Sequence, residues 1–522
     1  MNSIAIGKFV SDLTVYHELT LKQQQNVQKL NTISKIFFSR AKIRNNCLND
    51  TINQAVILDS GHQPNFLPYS GIWKKAFLLS WFQKQLEKKG KNAIAYFGFA
   101  DQNLSTAKIL SKNHIPYWNK KGSEEIGFHI EEKDRCKPFC FIQKPSRDRW
   151  EKEMDKIAGL YPWNANKNTP DTVQEKPKIE DIITILWDSY ENSQNFSELN
   201  SIIFAKICYE ILGIENICFY TFSDLNREKI FLDESKEIIL QQHAYNQIFN
   251  RTIAIKKLDL RTVTPNRIPF WYHCECGGKL DLTVTHPGIW IGSCPLCRKD
   301  HHLDVGPKLE RLDAFYAKMD FSAVSRNIVF ASGMGSSLFL SGSGGSSSYG
   351  LISDEISQEL GFYRPLRLSW ISRDYYFGRL HTLAIEELMK TYNLAFSEIS
   401  DGSFTKKIAS RISDTDITII EAKERCESEK TLKRLENIRN NLVNVTLSAA
   451  HLFQGIPSFI DLLATLDAPV IVNRWSEALR NAMVEFDGVA HKIHKDVIHQ
   501  TPFFHEATCE EIPTYYKMIE SI

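Results

Sequence analysis

Between residues 274 and 297 the chain carries four cysteines in two close pairs, Cys274-Glu275-Cys276-Gly277-Gly278 and Cys294-Pro295-Leu296-Cys297. A strand-like run, Leu280 to Ile291, lies between them. A tetrahedral metal takes four soft ligands, and two tight turns deliver thiolates in pairs, as in a zinc ribbon. Gly277, Gly278 and Pro295 suit such turns, because the backbone must bend until sulfur and amide groups face one point. The first pair is spaced C-x-C instead of C-x-x-C. His273, His301 and His302 stand close enough in sequence to replace a thiolate, and four unrelated buried thiols are the alternative reading. Four thiolates leave no open coordination position, so the expected zinc is structural. The module, about 266–312, is too small to bury a stable core unaided, so the metal becomes part of its folding energy.

The 522 residues are too many for one core and imply about three or four domains. The expected divisions are an N-terminal helical segment over 1–54, a Rossmann-like core over 55–265 with a polar insertion near 144–178, and the ribbon over 266–312. The core then returns over 313–372, followed by a helical region over 373–460 and a C-terminal region over 461–522. Hydrophobic content of 43% and charged content of 24% are those of an ordinary globular chain. A net charge of +1 gives no broad attraction to nucleic acid or to a membrane surface. Met1 to Lys8 shows no signal-peptide pattern, and runs such as Phe459 to Val472 are interrupted by Asp461 and Asp467, so no membrane partner is expected. Eleven cysteines, an odd number, point to a reducing cytoplasm. Cys136 and Cys140 form a looser pair that is read as ordinary, and His491 and His494 as an exposed pair.

Ala55 to Asp59 is a short apolar run that reads as a buried parallel strand. A loop, a helix from about Ile72 to Lys89 and a second strand, Ala93 to Phe99, follow. This strand–loop–helix–strand order builds a parallel sheet. Helices are expected around Ile179–Ser193 and Leu199–Leu212, a third strand over Asn216–Phe222, and a further strand-like segment over Asn327–Ala331. Glu424 to Leu452 spaces Leu432, Leu435, Ile438, Leu442 and Val445 as one arm of a coiled coil or as a solvated single helix. A long charged helix of this kind makes a homodimer plausible.

Ligands of parallel sheets bind at the carboxyl ends of the strands. Three such ends are polar here. The first is Ser60-Gly61-His62-Gln63-Pro64-Asn65: Gly61 permits close backbone approach, while His62, Gln63 and Asn65 offer donors and acceptors. The bland alternative is a proline-stiffened turn. The second is Asp101-Gln102-Asn103, which by itself reads equally as a helix cap. The third is the glycine–serine stretch, where Gly342, Ser343, Gly344 and Gly345 free backbone amides to cradle an anion. It contains no Walker A motif. Such stretches are commonly linkers, but Leu338, Phe339 and Leu340 beside it argue for an ordered strand.

The order strand, Gly61-His62-Gln63, helix, strand, Ala100-Asp101-Gln102-Asn103 resembles the bacillithiol-biosynthesis cysteine-adding enzymes. In that family a Gly-Gln-Gln loop follows the first strand and a Glu-Asp-His-Asp run the second. Gly61, Gln63 and Asp101 match; His62, Gln102 and Asn103 depart. Asn216 to Asp224 looks like the family's strand ending in Ser-Asp. Arg326 and Ser341 to Gly345 look like its Arg-Pro-Leu segment and Gly-Gly-Pro-Gly-Glu loop, with Gly345 where the Glu would stand. The helical stretch after 373 falls where the family has its coiled coil. The ribbon and the region after about 455 are departures. Gln63 to Tyr69 also resembles the opening of the family named after the O-antigen protein WbqC, whose members are associated with amino-sugar acylation.

These resemblances imply a synthetase-like enzyme joining an amino acid, cysteine in the first family, or an acyl group to the amine of a small molecule such as an amino sugar. A carboxylate is a poor electrophile, so activation by ATP or another nucleotide is expected. His62 and Asp101 become the catalytic candidates. Gly61, Gln63, Asn65, Gln102, Asn103, Asp224, Gly342, Ser343, Gly344 and Gly345 become the candidates for substrate or nucleotide binding. The competing reading is a non-catalytic scaffold on the same fold, which would disperse His62 and Asp101 or fill the cleft. Nucleic-acid binding through the ribbon is disfavoured by its mixed charge, with Lys279, Arg298 and Lys299 against Glu275, Asp281 and Asp300.

Overall fold

The structure is a computed structural model. It describes residues 13, 18–44, 52, 54–119, 121–161, 179–341, 345–377, 379–393, 395, 398, 403–453, 458–465, 467–473, 475–476 and 510–521. Two apolar runs, Val56–His62 (β1) and Ala93–Phe99 (β2), pair in parallel along their whole length, from Val56 opposite Ala93 to His62 opposite Phe99. Ile217–Thr221 (β5) adds to the free edge of β2. Ser336–Ser341 (β11) adds to the other side of β1, and Leu366–Phe377 (β12) to β11. These five strands are parallel; Glu510–Ser521 (β13) closes the β12 edge antiparallel. The order across the sheet is β13-β12-β11-β1-β2-β5. Successive strands run one way from β1 to β5 and the other way from β11 to β12, so the order reverses between β1 and β11.

Helices cover both faces, and adjacent residues of β2 show it. Phe97 stacks on Phe204 of the helix Phe196–Lys206, and Phe204 stacks on Trp73 of the helix Ser70–Lys88 at 4.2 Å between ring centres. Successive strand residues point to opposite faces. Gly98 therefore faces the other way, in register with Tyr220, whose ring packs near Phe330 of the helix Ala323–Met334. A Cβ on Gly98 would lie 2.5 Å from Phe222 Cε1 and 2.6 Å from Tyr220 Cζ. Gly98→Ala is therefore expected to destabilise the fold by about 1–3 kcal/mol. Urea unfolding checks this, and a wild-type midpoint would show that both rings can move aside.

The helix Ala323–Met334 corrects the strand expected over Asn327–Ala331. Ser322 caps it by accepting from the Ser325 N–H, and Gly335 ends it at φ +64. Val324, Ile328, Val329, Phe330, Ala331 and Met334 are all buried. A helix packed on several sides has no polar face, and a short apolar run of it is indistinguishable from a buried strand. The expected strand over Leu338–Leu340 is present as β11. In the expected insertion, Arg147–Gly159 forms a helix whose buried Trp150 stacks on Phe128 and Tyr190; residues 162–178 lie outside the described residues. The helix Leu21–Ala41 docks on the sheet, with the Ser34 hydroxyl donating to Phe219 O at 2.9 Å.

The cysteine module is a five-stranded antiparallel sheet in the order β10-β6-β7-β8-β9, comprising Arg267–His273 (β6), Lys279–His286 (β7), Ile289–Ser293 (β8), Asp300–Asp304 (β9) and Met319–Phe321 (β10). The run Leu280 to Ile291, expected as one strand, is the β7–β8 hairpin turning at Gly288, φ +81. A short hairpin, Lys112–Pro116 (β3) with Ser123–Gly127 (β4), lies apart from both sheets. Beyond β12, the helices Phe404–Glu424 and Glu429–Phe453 pack on each other, joined across Arg439 and Asp416 at 2.5 Å. No helix among the described residues is long and apolar enough to cross a membrane.

Candidate functional site and metal centre

The ribbon turns bring Cys274, Cys276, Cys294 and Cys297 together, with all four sulfurs within 4.8 Å of one another. The pair Cys274–Cys297 is 3.6 Å apart and Cys276–Cys294 is 3.5 Å apart. Four thiolates at about 2.3 Å from one zinc would be about 3.8 Å apart, so the donor set and its spacing fit a metal ion such as zinc. The backbone supports the cluster. Gly278 N–H donates to Cys276 Sγ at 3.4 Å, and a Cβ on Gly278 would stand 2.4 Å from Cys294 Sγ. Of the candidate substitutes, His273 faces Asp320 at 3.6 Å and His301 packs edge-on against Tyr272. Neither these two nor His302 joins the cluster.

The carboxyl ends of β1, β2 and β5 meet at the other polar centre. His62 closes β1, and its carbonyl accepts from Ala100 N–H at 2.9 Å, which stitches the first loop to the second. Two side chains hold the segment between β1 and the next helix: Asn200 Nδ2 donates to Pro64 O at 2.8 Å, and Trp73 Nε1 to Pro68 O at 2.9 Å. Gly61 lies opposite Gly98, and a Cβ there would meet Gly98 O at 2.9 Å, so its smallness already serves strand packing. His62 is half-buried, and its Nδ1 lies 3.0 Å from Gln63 O. A carbonyl only accepts, so Nδ1 carries the proton and Nε2 is left as the basic nitrogen.

Asp101 is buried and accepts twice from Ser223, from its N–H at 3.0 Å and its hydroxyl at 2.5 Å. Burial pushes its carboxyl up to about 7 against those two bonds, and Asp224 adds to the rise. Asp224 is itself buried between Arg40, at 2.8 Å, and Arg227. Gln102 is buried, Asn103 half-buried. Gly342, Ser343 and Gly344 lie outside the described residues, as do His491 and His494; Gly345 opens the helical segment that precedes the helix Leu351–Leu360.

Three further residues belong to this centre and went unread as site residues in the sequence. Asp59, in mid-β1, is 3% exposed, and burial drives its carboxyl up to about 8 against the opposing pull of Arg326. Lys75, in the first turns of the helix Ser70–Lys88, is pushed down to about 8 by burial and then by Arg326. Arg326, in the first turn of the helix Ala323–Met334, stands 5.5 Å over the Phe222 ring. Burial, with Lys75 and Arg326 adding, forces His62 down to about 3, so its imidazole is neutral. No local pattern marks these groups; only the topology that starts both helices at the carboxyl edge collects them.

The two centres are joined. Lys279 of β7 donates to Gln102 O at 3.0 Å and pairs with Asp320 of β10, which His273 also faces. Burial works to raise the Asp320 carboxyl, but Lys279 and His273 outweigh it and hold it low. Cys140 N–H donates to Asp101 O at 2.8 Å, and burial pushes its thiol well up, leaving it inert at neutral pH. The ribbon thus rests on the Asp101 loop. Chemically, the strand ends offer a neutral imidazole, two carboxyls able to exchange protons near neutrality, and two cations. Asn65 Oδ1 and Gln102 Oε1 are buried without a hydrogen-bond partner among the described residues. No protein-family model and no curated protein matches this chain.

Proposed function

We propose that the protein is an amide-forming ligase on a Rossmann-like core, joining an amino acid or acyl group to the amine of a small molecule after nucleotide activation. One observation carries this reading: His62 and Asp101 follow the carboxyl ends of neighbouring strands, their loops joined by Ala100 N–H to His62 O near the reversal of strand order, and both have strongly shifted proton affinities. Clefts at such reversals are where open parallel sheets bind ligands, and perturbed titration clusters at reactive sites. In the proposed roles, Asp101 takes a proton from the attacking amine, for which an affinity near 7 suits a general base. His62, neutral with Nε2 basic, accepts a hydrogen bond from the substrate. The unpartnered oxygens of Asn65 and Gln102 accept from amine or hydroxyl groups. The glycine–serine stretch after β11 supplies backbone amides to the activated acid.

The motif likeness to the bacillithiol-biosynthesis cysteine-adding enzymes favours cysteine as the first acid to try, and the same likeness would assign a coiled coil and a dimer contact to the helices after 403. Against the scaffold alternative stand the shifted proton affinities of Asp101 and His62 on neighbouring loops. An ATP–pyrophosphate exchange screen over amino acids, cysteine included, tests the proposal. Exchange with one acid, with Asp101→Asn sparing exchange but lowering amide formation by about 100-fold, is the expected result. No exchange and no amide product with any acid, from folded protein, would end the ligase reading.

A further inference from the structure

We infer that the Ser223 hydroxyl, and not the Asp101 carboxylate, meets the substrate's amine, and that the amine's proton passes through it to Asp101. The inference rests on the ligase reading and names the group through which Asp101 acts in it. Asp101 is 2% exposed. Both of its carboxyl oxygens are turned to Ser223: Oδ1 accepts from the Ser223 N–H at 3.0 Å, and Oδ2 from the Ser223 hydroxyl at 2.5 Å. A group that exchanges a proton with a substrate must lie within hydrogen-bond reach of it. A carboxylate closed off from the surface reaches a substrate only through a neighbour.

The hydrogen bonds around Ser223 run in one direction. Thr221, which ends β5, caps the helix Phe222–Arg227 by accepting the Asp224 N–H at 3.3 Å. Its hydroxyl also lies 3.2 Å from Ser223 Oγ. The single proton of the Ser223 hydroxyl is committed to ionised Asp101, which only accepts, so Thr221 donates in that second bond. A hydroxyl has one donor and two acceptor positions. Ser223 Oγ therefore gives to Asp101, receives from Thr221 and keeps one lone pair for a donor from outside. Thr221, Asp101 and Asp224 are buried, whereas Ser223 is half-buried. Asp224, the other carboxylate beside it, is held by Arg40 and Arg227.

The free lone pair completes a balanced transfer. As the amine nitrogen bonds the acyl carbon, the bond from that carbon to the activating phosphate oxygen breaks, and its electron pair leaves with the phosphate. An N–H proton moves to Ser223 Oγ while the hydroxyl proton moves to Asp101 Oδ2. Ser223 ends as a neutral hydroxyl and Asp101 as a carboxylic acid. A serine hydroxyl alone is a poor base; coupled to Asp101 it passes a proton on without holding charge. Burial lifts the Asp101 carboxyl to about 7, where it both takes and returns a proton near neutrality.

Amide formation from glucosamine by the full chain, with ATP and the acid that pyrophosphate exchange selects, tests this. It is run beside capture of the same activated acid by hydroxylamine, which attacks activated acyl groups unaided. Ser223→Ala should lower amide formation by about 100-fold, as Asp101→Asn does, and leave exchange and hydroxamate formation as in wild type. The double variant should be no slower than either single one, because the two groups act as a unit. Amide formation in Ser223→Ala much faster than in Asp101→Asn, or a double variant slowed by the product of the single losses, overturns the relay. Hydroxamate lost together with amide in Ser223→Ala makes the residue structural and also overturns it. Should Ser223→Ala fail to fold by circular dichroism, a proton inventory of wild-type amide formation carries the test. A curved dependence on deuterium fraction marks two protons in flight and sustains the relay; a straight line marks one and overturns it. Any of these failures in a protein that still exchanges and forms amide leaves the ligase reading standing. A wild type with neither exchange nor amide product removes the ligase reading and the relay together.

Discussion

Protein purified without chelator is expected to carry about one equivalent of zinc, and Cys294→Ser is expected to lose it together with the fold of the ribbon. Structural zinc contributes about 10–16 kcal/mol of apparent folding energy in small zinc modules, and in the ribbon it adds to the burial of side chains such as Leu280, Leu282 and Trp290. The loss should travel. Lys279 ties β7 to Gln102 O and to Asp320, so the Asp101 loop loses its outer support when the ribbon opens. Hydrogen exchange of the serine variant should show deprotection over β6 to β10 and a smaller rise at 101–104. β1, β2 and β5 should stay protected, because their buried Ile57, Leu58, Ile94, Ala95, Ile217 and Phe219 do not depend on the ribbon. Less than about half an equivalent of zinc, or a ribbon still protected in Cys294→Ser, would contradict this account.

Replacing Asp59 with asparagine should make the protein more stable in alkaline buffer. The sign follows from the direction of the shift. The folded state holds the Asp59 proton up to about pH 8, whereas the ordinary carboxyl value is 3.8. Between those values the native state binds more protons than the unfolded state, so stability falls as pH rises through the window. Each unit is worth about 1.4 kcal/mol, and the span amounts to a few kcal/mol once local relaxation is allowed for. Asp59→Asn keeps the shape and removes the titration. Urea midpoints measured from pH 5 to pH 9 should therefore fall less steeply in the variant, with the two proteins furthest apart at the alkaline end. Parallel curves would mean that Asp59 ionises in the native state near its ordinary value. Asp101 contributes in the same direction, over a narrower window ending near pH 7.

The sheet was legible where strands are short, apolar and bounded by polar loops, as in β1, β2 and β5. It was misread at Asn327–Ala331, where burial of the helix on several sides removed the periodic signal that separates helix from strand. The Asp101 and His62 loops could be found from their position after buried strands. Asp59 read as the polar end of an apolar run, and Lys75 as the opening of a helix; neither carries a local mark of its environment. Their proton affinities come from burial and from Arg326, which is about 250 residues away in the chain and is brought near by the crossover that reverses strand order.

What the sequence by itself determined is what short-range chemistry dictates: two cysteine turns whose spacing already suits one tetrahedral metal, and strands with polar loops at their ends. Ligand spacing within a turn is set by a few backbone torsions, so it survives in the sequence. What only the tertiary structure decided is the company those loops keep. The pairing of β11 with β1, the start of two helices at one edge, and the seating of Lys279 on Gln102 are contacts between distant segments. The electrostatics of His62, Asp59 and Lys75 depend on through-space distance and on exclusion of water, and neither exists until the chain has folded.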